Sequence, residues 1–190
     1  MFRLSKFAAA FAIAAASAAT AGAQALTTSA KPYSLGIAGG AAIPTGNLSS
    51  TNGLNGLGAN TGYNVTGSLG IASPRYPISL RGDVAYNNFG LKNSAAKYHV
   101  WSGTANAVYS LPAQAVARPY LIGGLGAYRP NSTAGNVKVS GNTKLGFDVG
   151  GGIIVPLYGL NAFIESRYNQ YAVGNGRSMN FVHVTFGVMF

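Results

Sequence analysis

The stretch at positions 63–71 reads Tyr63-Asn64-Val65-Thr66-Gly67-Ser68-Leu69-Gly70-Ile71. Tyrosine and aliphatic side chains occupy nearly every second position, and small or polar residues fill the positions between them. Because successive side chains of a β-strand point to opposite faces, this spacing predicts a strand with one apolar and one polar face. A tilted strand of about 9–11 residues is long enough to cross the hydrocarbon of a bilayer.

The same alternation recurs along the chain. We predict strands at 33–43, 62–71, 78–87, 98–111, 119–128, 144–155, 160–170 and 179–190. Short connections with turn residues, such as 73–77 and 156–159, alternate with long connections rich in Asn, Gly, Ser and Thr, such as 45–61 and 129–143. That asymmetry is typical of membrane barrels. The predicted fold is all-β, an eight-stranded antiparallel up-and-down transmembrane β-barrel, and only the phase of the fifth strand is left undecided.

Charged residues are few, and most of them are basic. Thirteen Lys and Arg stand against three Asp and Glu, which gives +10 at pH 7, and 8% of all residues are charged. Soluble domains contain about 25%. No stretch beyond the N-terminal segment approaches the ~20 consecutive apolar residues of a spanning helix, so helical spans are excluded. The chain has no Cys, which excludes disulfides and a lipid-modified cysteine.

The first residues have the pattern of an export signal. Arg3 and Lys6 precede an uncharged apolar segment at 7–19, and small residues follow it. The alternative is a membrane anchor, but the segment is short and rich in alanine. We therefore predict a cleavable signal peptide at 1–25 and a barrel domain at 26–190.

All three acidic residues lie inside predicted strands and share the polar phase. Asp83 has Arg81 two positions away on the same face, Glu165 has Arg167, and Asp148 lies on another strand. A charge facing lipid is costly, so these side chains should point into the barrel. We predict an interior ion-pair network of Arg81, Asp83, Asp148, Glu165 and Arg167. The alternative is a set of exposed charges on an ordinary sheet.

Aromatic residues of the apolar phase fall at strand ends. Two belts of Tyr and Trp mark the two interfaces of membrane barrels. We predict a girdle with one belt at the periplasmic ends and one at the outer ends. Its residues are Tyr33, Tyr109 and Phe190 in the first belt, and Tyr63, Tyr86, Trp101 and Tyr168 in the second.

Six basic residues lie in or beside the long connections, with no acid among them. They are Lys92, Lys97, Arg129, Lys138, Lys144 and Arg177. We predict that they contact lipopolysaccharide phosphates, with which Lys and Arg form charge-assisted hydrogen bonds. The alternative is that they only keep the loops soluble. The spread of basic residues over separate loops and the export signal argue against a nucleic-acid partner.

The last strand ends Phe186-Gly187-Val188-Met189-Phe190, with hydrophobic residues at every second position back from the C-terminal Phe. This resembles the signal by which the assembly machinery of the outer membrane takes up barrels. The chain resembles the small outer-membrane β-barrel family, which includes the OmpA transmembrane domain and OmpX. The resemblance implies a monomer in the bacterial outer membrane with both barrel termini in the periplasm. It implies outer-membrane lipid and the assembly machinery as partners. It also implies that Phe186, Val188 and Phe190 form the assembly signal.

The functions left open belong to three classes. The first is a structural or surface-interaction barrel with no chemistry of its own and no cofactor. The second is a narrow passive pore, for which the inward glycines would leave room, unless they are sockets for Arg and Tyr side chains. These glycines are Gly36, Gly40, Gly70, Gly146, Gly150 and Gly152. The third is a lipid-modifying enzyme using His183, Thr185 and Glu165, which share the inward phase. A soluble lipocalin-type barrel is the rival fold, but it would place its charges outside.

Overall fold

The computed structural model describes residues 33–51, 56–72, 77–92, 94–112, 116–174 and 176–190. The predicted signal peptide and most of the predicted turn at 73–77 lie outside the described residues. The strands are β1 (Tyr33–Thr45), β2 (Gly62–Ala72), β3 (Ile78–Gly90), β4 (Lys97–Ser110), β5 (Arg118–Ala134), β6 (Val137–Ser140), β7 (Lys144–Leu157), β8 (Leu160–Gly174) and β9 (Arg177–Met189). A short 3-10 helix, Gly46–Leu48, follows β1.

The sheet closes on itself. Each long strand pairs antiparallel with its neighbours, and β1 pairs with β9 to join the two ends of the chain. Two main-chain hydrogen bonds between Leu35 and Phe190 extend this seam. The architecture confirms the predicted closed eight-stranded antiparallel barrel, with β6 as a short addition to β5. Among the described residues, no helix is long and apolar enough to cross a membrane.

Both chain ends of the barrel lie at one rim, where β1 starts and β9 finishes. We call this rim the terminal end and the opposite rim the loop end. Outward positions carry exposed apolar side chains along the whole wall, as at Leu35, Leu69 and Val149. Inward positions carry polar and charged side chains that are buried, such as Asn64 and Asp83. This distribution is the reverse of a soluble barrel and matches a membrane barrel.

The structure decides the phase of β5. Tyr120, Ile122 and Tyr128 point inward and are buried, whereas Leu121 and Leu125 are exposed on the outer wall. Apolar residues therefore occupy both faces of this strand. Sequence alternation alone could not separate the two faces, because the signal depends on a contrast in polarity.

The prediction of a loop at 129–143 was wrong over most of its length. β5 runs on to Ala134 and pairs with β6, so that a β-hairpin extends the wall at the loop end. Its turn is the two-residue segment between Ala134 and Val137, in which Gly135 has φ +56°. Two-residue hairpin turns require such positive φ values, which glycine adopts without steric cost.

The interior changes character along the barrel axis. At the loop end a cluster of buried apolar side chains fills the lumen, and we call it the apolar cap. It contains Ala42, Leu48, Ala59, Phe89, Tyr98, Val100, Tyr128, Tyr171, Met179 and Phe181. Rings of Tyr128 and Tyr171 stack at 5.3 Å, and the hydroxyls of Tyr98 and Tyr171 are 2.8 Å apart. The loop end is thus packed like the core of a soluble protein, with apolar groups inside.

Candidate functional site

A charged cluster occupies the middle of the lumen. It is made of Arg81 and Asp83 from β3, Asp148 from β7, and Glu165 and Arg167 from β8, and each is between 2% and 6% exposed. Residues two apart on a strand share a face, which places each Arg beside an acid of its own strand. The structure thus brings together all five residues predicted for the interior network.

Arg81 joins two carboxylates across the lumen. Its Nη2 donates to Oε1 and Oε2 of Glu165 at 2.9 and 2.7 Å, and its Nε donates to Oδ2 of Asp83 at 3.2 Å. Hydrogen bonds between charged groups are stronger than neutral ones, and the two contacts to Glu165 also fix its orientation. Arg81 therefore ties β3 to β8, which are not neighbours in the sheet.

Arg167 completes the cluster. Its Nη1 donates to Oδ2 of Asp83 at 2.8 Å and to Oδ1 of Asp148 at 3.4 Å, and its Nε lies 2.8 Å from Oε1 of Glu165. Asp83 and Glu165 each contact both guanidinium groups. Asp148 is held less closely, because its Oδ2 has no hydrogen-bond partner in the part of the chain that the structure describes.

Three further side chains bind the cluster; the sequence placed His183 on the inward face with Glu165, but it did not place Tyr120 or Asn106 at this site. The Tyr120 hydroxyl donates to Oε2 of Glu165 at 2.6 Å, Asn106 Nδ2 donates to Oδ2 of Asp83 at 2.8 Å, and Arg167 Nε donates to Nε2 of His183 at 3.1 Å. Asn106 pairs with Arg81 in the register, so the alternation along β4 could have indicated from the sequence that its side chain points inward, near the cluster. Tyr120 could not be found, since the phase of β5 was undecided.

Three of the inward glycines, Gly146, Gly150 and Gly152, lie against a Tyr or Arg side chain, whereas Gly36 and Gly70 face Ser68 and Ser34. A Cβ on Gly152 would lie 2.6 Å from the Tyr120 hydroxyl oxygen, and one on Gly150 would lie 2.7 Å from Cγ of Arg167. A Cβ on Gly146 would lie 2.7 Å from the Tyr128 ring. These contacts are too close for a real carbon, and at each position a main-chain carbonyl oxygen of β8 is nearer still, so the space that glycine leaves is taken up by a Tyr or Arg side chain together with the neighbouring backbone.

The residues considered for catalysis are inward and buried, but they do not form a reactive arrangement. Thr185 lies opposite Glu165 in the register, and its hydroxyl donates to the main-chain carbonyl of Glu165 at 3.5 Å. His183 contacts Arg167 and Asn169. The hydroxyl is therefore directed to a carbonyl oxygen and not to a base that could activate it. The described residues contain no group of three or more His, Asp or Glu able to hold a metal ion.

The seven predicted girdle residues all face outward. Tyr33, Tyr109 and Phe190 lie at the terminal end and are 63%, 40% and 57% exposed. The others lie in the half nearer the loop end, where Tyr86 packs against Trp101 at 4.9 Å and Tyr63 at 6.2 Å, and Tyr168 packs against Phe147 at 6.4 Å. They form two separated levels on the wall.

The six basic residues share the loop end but not one surface. Lys97, Arg129 and Lys138 occupy the outward phase of β4, β5 and β6. Lys144 pairs with Tyr128 in the register and therefore shares its inward phase. Lys92 and Arg177 lie in or beside the connections β3–β4 and β8–β9. Arg129 and Lys138 thus stand on strands, and not in the loop that the sequence suggested.

The last strand has the predicted outward phase. Phe186 is 65% exposed and Phe190 57% exposed, and Val188 lies between them on the same face. β9 contributes to the interior as well, through His183 and Thr185. Its position between β8 and β1 means that the barrel cannot close until this strand has paired on both sides.

Comparison with known proteins agrees with this architecture. Neisserial surface protein A superposes with a TM-score of 0.66 at 20% identity, over 84% of this chain and 96% of that chain. A major outer membrane protein from Thermus thermophilus superposes with a TM-score of 0.50 at 10% identity, over 83% and 99%. At sequence identities this low, the structural similarity establishes the fold alone. No curated protein sequence matches the chain.

The family itself is shown by a family model. The outer membrane protein beta-barrel domain matches residues 9–190, which is nearly the whole chain. This match, the closed barrel and the outward apolar wall agree with the resemblance carried by the last strand. The chain belongs to the outer membrane protein beta-barrel domain family and is an integral outer-membrane barrel.

Proposed function

We propose that this barrel has a structural or surface-interaction role, that its lumen does not conduct, and that it carries out no chemistry of its own. The observation that supports this proposal is the filled interior. The charged cluster crosses the middle of the lumen, and the apolar cap lies above it at the loop end. Eight strands leave an interior only wide enough for side chains, and here those side chains are present.

The packing argues against the passive pore. Ions need a continuous polar path, and the apolar cap replaces it with packed rings such as Phe89 and Phe181, whose centroids are 5.6 Å apart. Of the glycines that would have left room, Gly146, Gly150 and Gly152 lie against the side chains of Tyr128, Arg167 and Tyr120. A cavity of about 150 Å³ at the terminal end is lined by Arg118 and Tyr120 among others, and the Tyr120 hydroxyl binds Glu165 of the charged cluster.

The same interior argues against an enzyme. A lipid substrate would have to reach Glu165, His183 or Thr185, and each is 2% exposed. No described side chain at this site is placed to activate the Thr185 hydroxyl. In the orientation that the family resemblance implies, the termini face the periplasm and the loop end faces outward, where the outward-facing cations Lys97, Arg129 and Lys138 meet the phosphates of lipopolysaccharide.

The test is conductance of the folded protein in planar bilayers. We expect no discrete current steps above those of the bare membrane. Insertion is checked on the same material by the different gel mobility of boiled and unboiled samples, because closed barrels resist detergent until they are heated. Reproducible steps from folded protein would overturn the closed lumen.

A second measurement addresses chemistry. Outer-membrane lipid is incubated with the folded protein and analysed by mass spectrometry, and we expect its masses to stay unchanged. The matched control is the Glu165→Gln variant, which keeps the size of the side chain. A new lipid product that appears with the wild type and not with this variant would overturn the proposal.

A further inference from the structure

The register of four strands builds one composite surface on the outer wall at the loop end. Strands β3, β4, β5 and β6 lie side by side, and their outward residues form three rows. The lowest row is Tyr86, Trp101 and Arg129, the middle row is Asn88, His99, Asn131 and Ser140, and the upper row is Gly90, Lys97, Thr133 and Lys138. Cα rows two positions apart on a strand are separated by roughly 6.8 Å.

The lowest row is an aromatic floor. Trp101 is 50% exposed, and its ring centroid is 4.9 Å from that of Tyr86. The Tyr86 hydroxyl is 2.7 Å from Nδ1 of His99, and this hydrogen bond orients the tyrosine ring. The wall is aliphatic beside this floor, at Val65, which pairs with Tyr86, and below it, at Val84, and both side chains are exposed. The floor therefore marks the height at which an apolar surface gives way to a polar one, where Tyr and Trp sit in membranes.

The β5–β6 hairpin stands above this floor and encloses a cleft of about 590 Å³. Its lining combines the aromatic rings with two cations, Arg129 from β5 and Lys138 from β6, and with the polar residues Asn131 and Thr133. All three acidic residues of the chain are in the interior, so the positive charge of this surface is not compensated by an acid on it. The volume is in the range of sites for small ligands, about 300–1,000 Å³.

We infer that this cleft binds the phosphorylated sugar of an anionic glycolipid in the outer leaflet. Arg129 and Lys138 donate to a phosphate, Trp101 and Tyr86 pack against the sugar, and the acyl chains continue down the aliphatic wall. Lys and Arg bind phosphate oxygens by charge-assisted hydrogen bonds, and these cations lie at and above the upper edge of the apolar band, Arg129 in the row of the aromatic floor and Lys138 two rows above it. The inference rests on the surface-interaction role proposed above and names its site and its ligand class.

The chain offers a direct reporter, because Trp101 is its single tryptophan and lies in the cleft. Folded protein in zwitterionic micelles is titrated with bisphosphorylated lipid A while the Trp101 emission is followed. We expect a saturable change whose midpoint weakens as ionic strength rises to about 0.5 M. Lipid A without phosphates should bind much more weakly, and inorganic phosphate alone should leave the emission unchanged.

Two double variants separate this site from general charge. Arg129→Gln with Lys138→Gln should weaken lipid A binding roughly tenfold or more, since one hydrogen bond to a charged group can contribute that factor. Lys92→Gln with Lys144→Gln removes the same charge from the same end of the barrel and should change it less than about twofold. Unboiled gel mobility verifies that both variants are folded.

Equal losses in the two double variants would overturn the site, and so would equal binding of phosphorylated and unphosphorylated lipid A. An equal response to inorganic phosphate would overturn the lipid as occupant. These outcomes are independent of the proposed function, whose failure would appear as current steps or lipid products from the wild type.

Discussion

Arg81 and Glu165 are 84 positions apart in the chain, yet Nη2 of Arg81 lies 2.9 and 2.7 Å from the two carboxylate oxygens of Glu165. Their strands, β3 and β8, are separated by three others in the sheet, so the pair spans the lumen. Asp83 and Arg167 form a second pair between the same strands at 2.8 Å. The centre of the barrel is therefore braced by side chains as well as by the hydrogen bonds of its wall.

Loss of one partner of this brace should destabilise the barrel strongly. Arg81→Ala leaves Glu165 and Asp83 less well compensated, and breaking a buried pair costs about 3–5 kcal/mol. Lys92→Ala, at an exposed site, should change the free energy of unfolding by less than about 0.5 kcal/mol. Urea unfolding in lipid vesicles, followed by Trp101 fluorescence, measures both. A double-mutant cycle with Glu165→Ala should show coupling, and equally mild single effects would contradict the network.

The glycine sockets predict a difference between two very similar substitutions. Gly152→Ala places a Cβ 2.5 Å from the main-chain carbonyl oxygen of Ile164 and 2.6 Å from the Tyr120 hydroxyl oxygen, and it should destabilise the barrel by about 1–3 kcal/mol. Gly67→Ala adds the same methyl group to the outer wall, where a Cβ meets nothing within 4 Å. The same unfolding assay compares them. Comparable effects would mean that the methyl group acts through the conformational preference of its own strand and not through the close contacts with Ile164 and Tyr120.

The apolar cap should behave as a protein core. Phe181→Ala removes a ring that is fully buried against Phe89, and such truncations cost about 3–5 kcal/mol. Val137→Ala truncates a side chain that is 65% exposed on the β5–β6 hairpin and should be nearly silent. Unfolding free energies of the two variants check this. If Phe181→Ala were also silent, the cap would not contribute to stability.

The last strand should limit assembly. Phe190→Asp puts a charge at the outward end of the strand that closes the barrel, and we expect less folded protein in the outer membrane. Tyr158→Asp is the control, since Tyr158 is fully exposed in the turn between β7 and β8, away from the seam. The measurement is the amount of heat-modifiable protein in membrane fractions. Equal amounts of folded protein for both variants would contradict the prediction that the last strand limits assembly.

Sequence reasoning succeeded where polarity alternates sharply. The apolar and polar phases of β2 and β7 could be assigned correctly from residues such as Leu69 and Asp148, because a lipid-facing wall tolerates few charges. It failed for β5, where Tyr120 and Ile122 point inward and Leu121 and Leu125 point outward. Sequence reasoning also ended β3 too early. Phe89 points inward into the apolar cap, and an apolar residue on the inward face breaks the alternation by which the strands were recognised.

By itself the sequence determined the number of strands in the barrel, their order and the placement of its acids on the inward side, since these follow from local alternation and from the cost of charges in lipid. Only the tertiary structure decided which charges meet across the lumen, because closure brings β3 opposite β8 and no local pattern encodes that distance. It also decided that the glycines are sockets, and that Arg129, Lys138 and Trp101 share one cleft. Those relationships depend on strand register and on the β5–β6 hairpin, which are set by packing between distant segments.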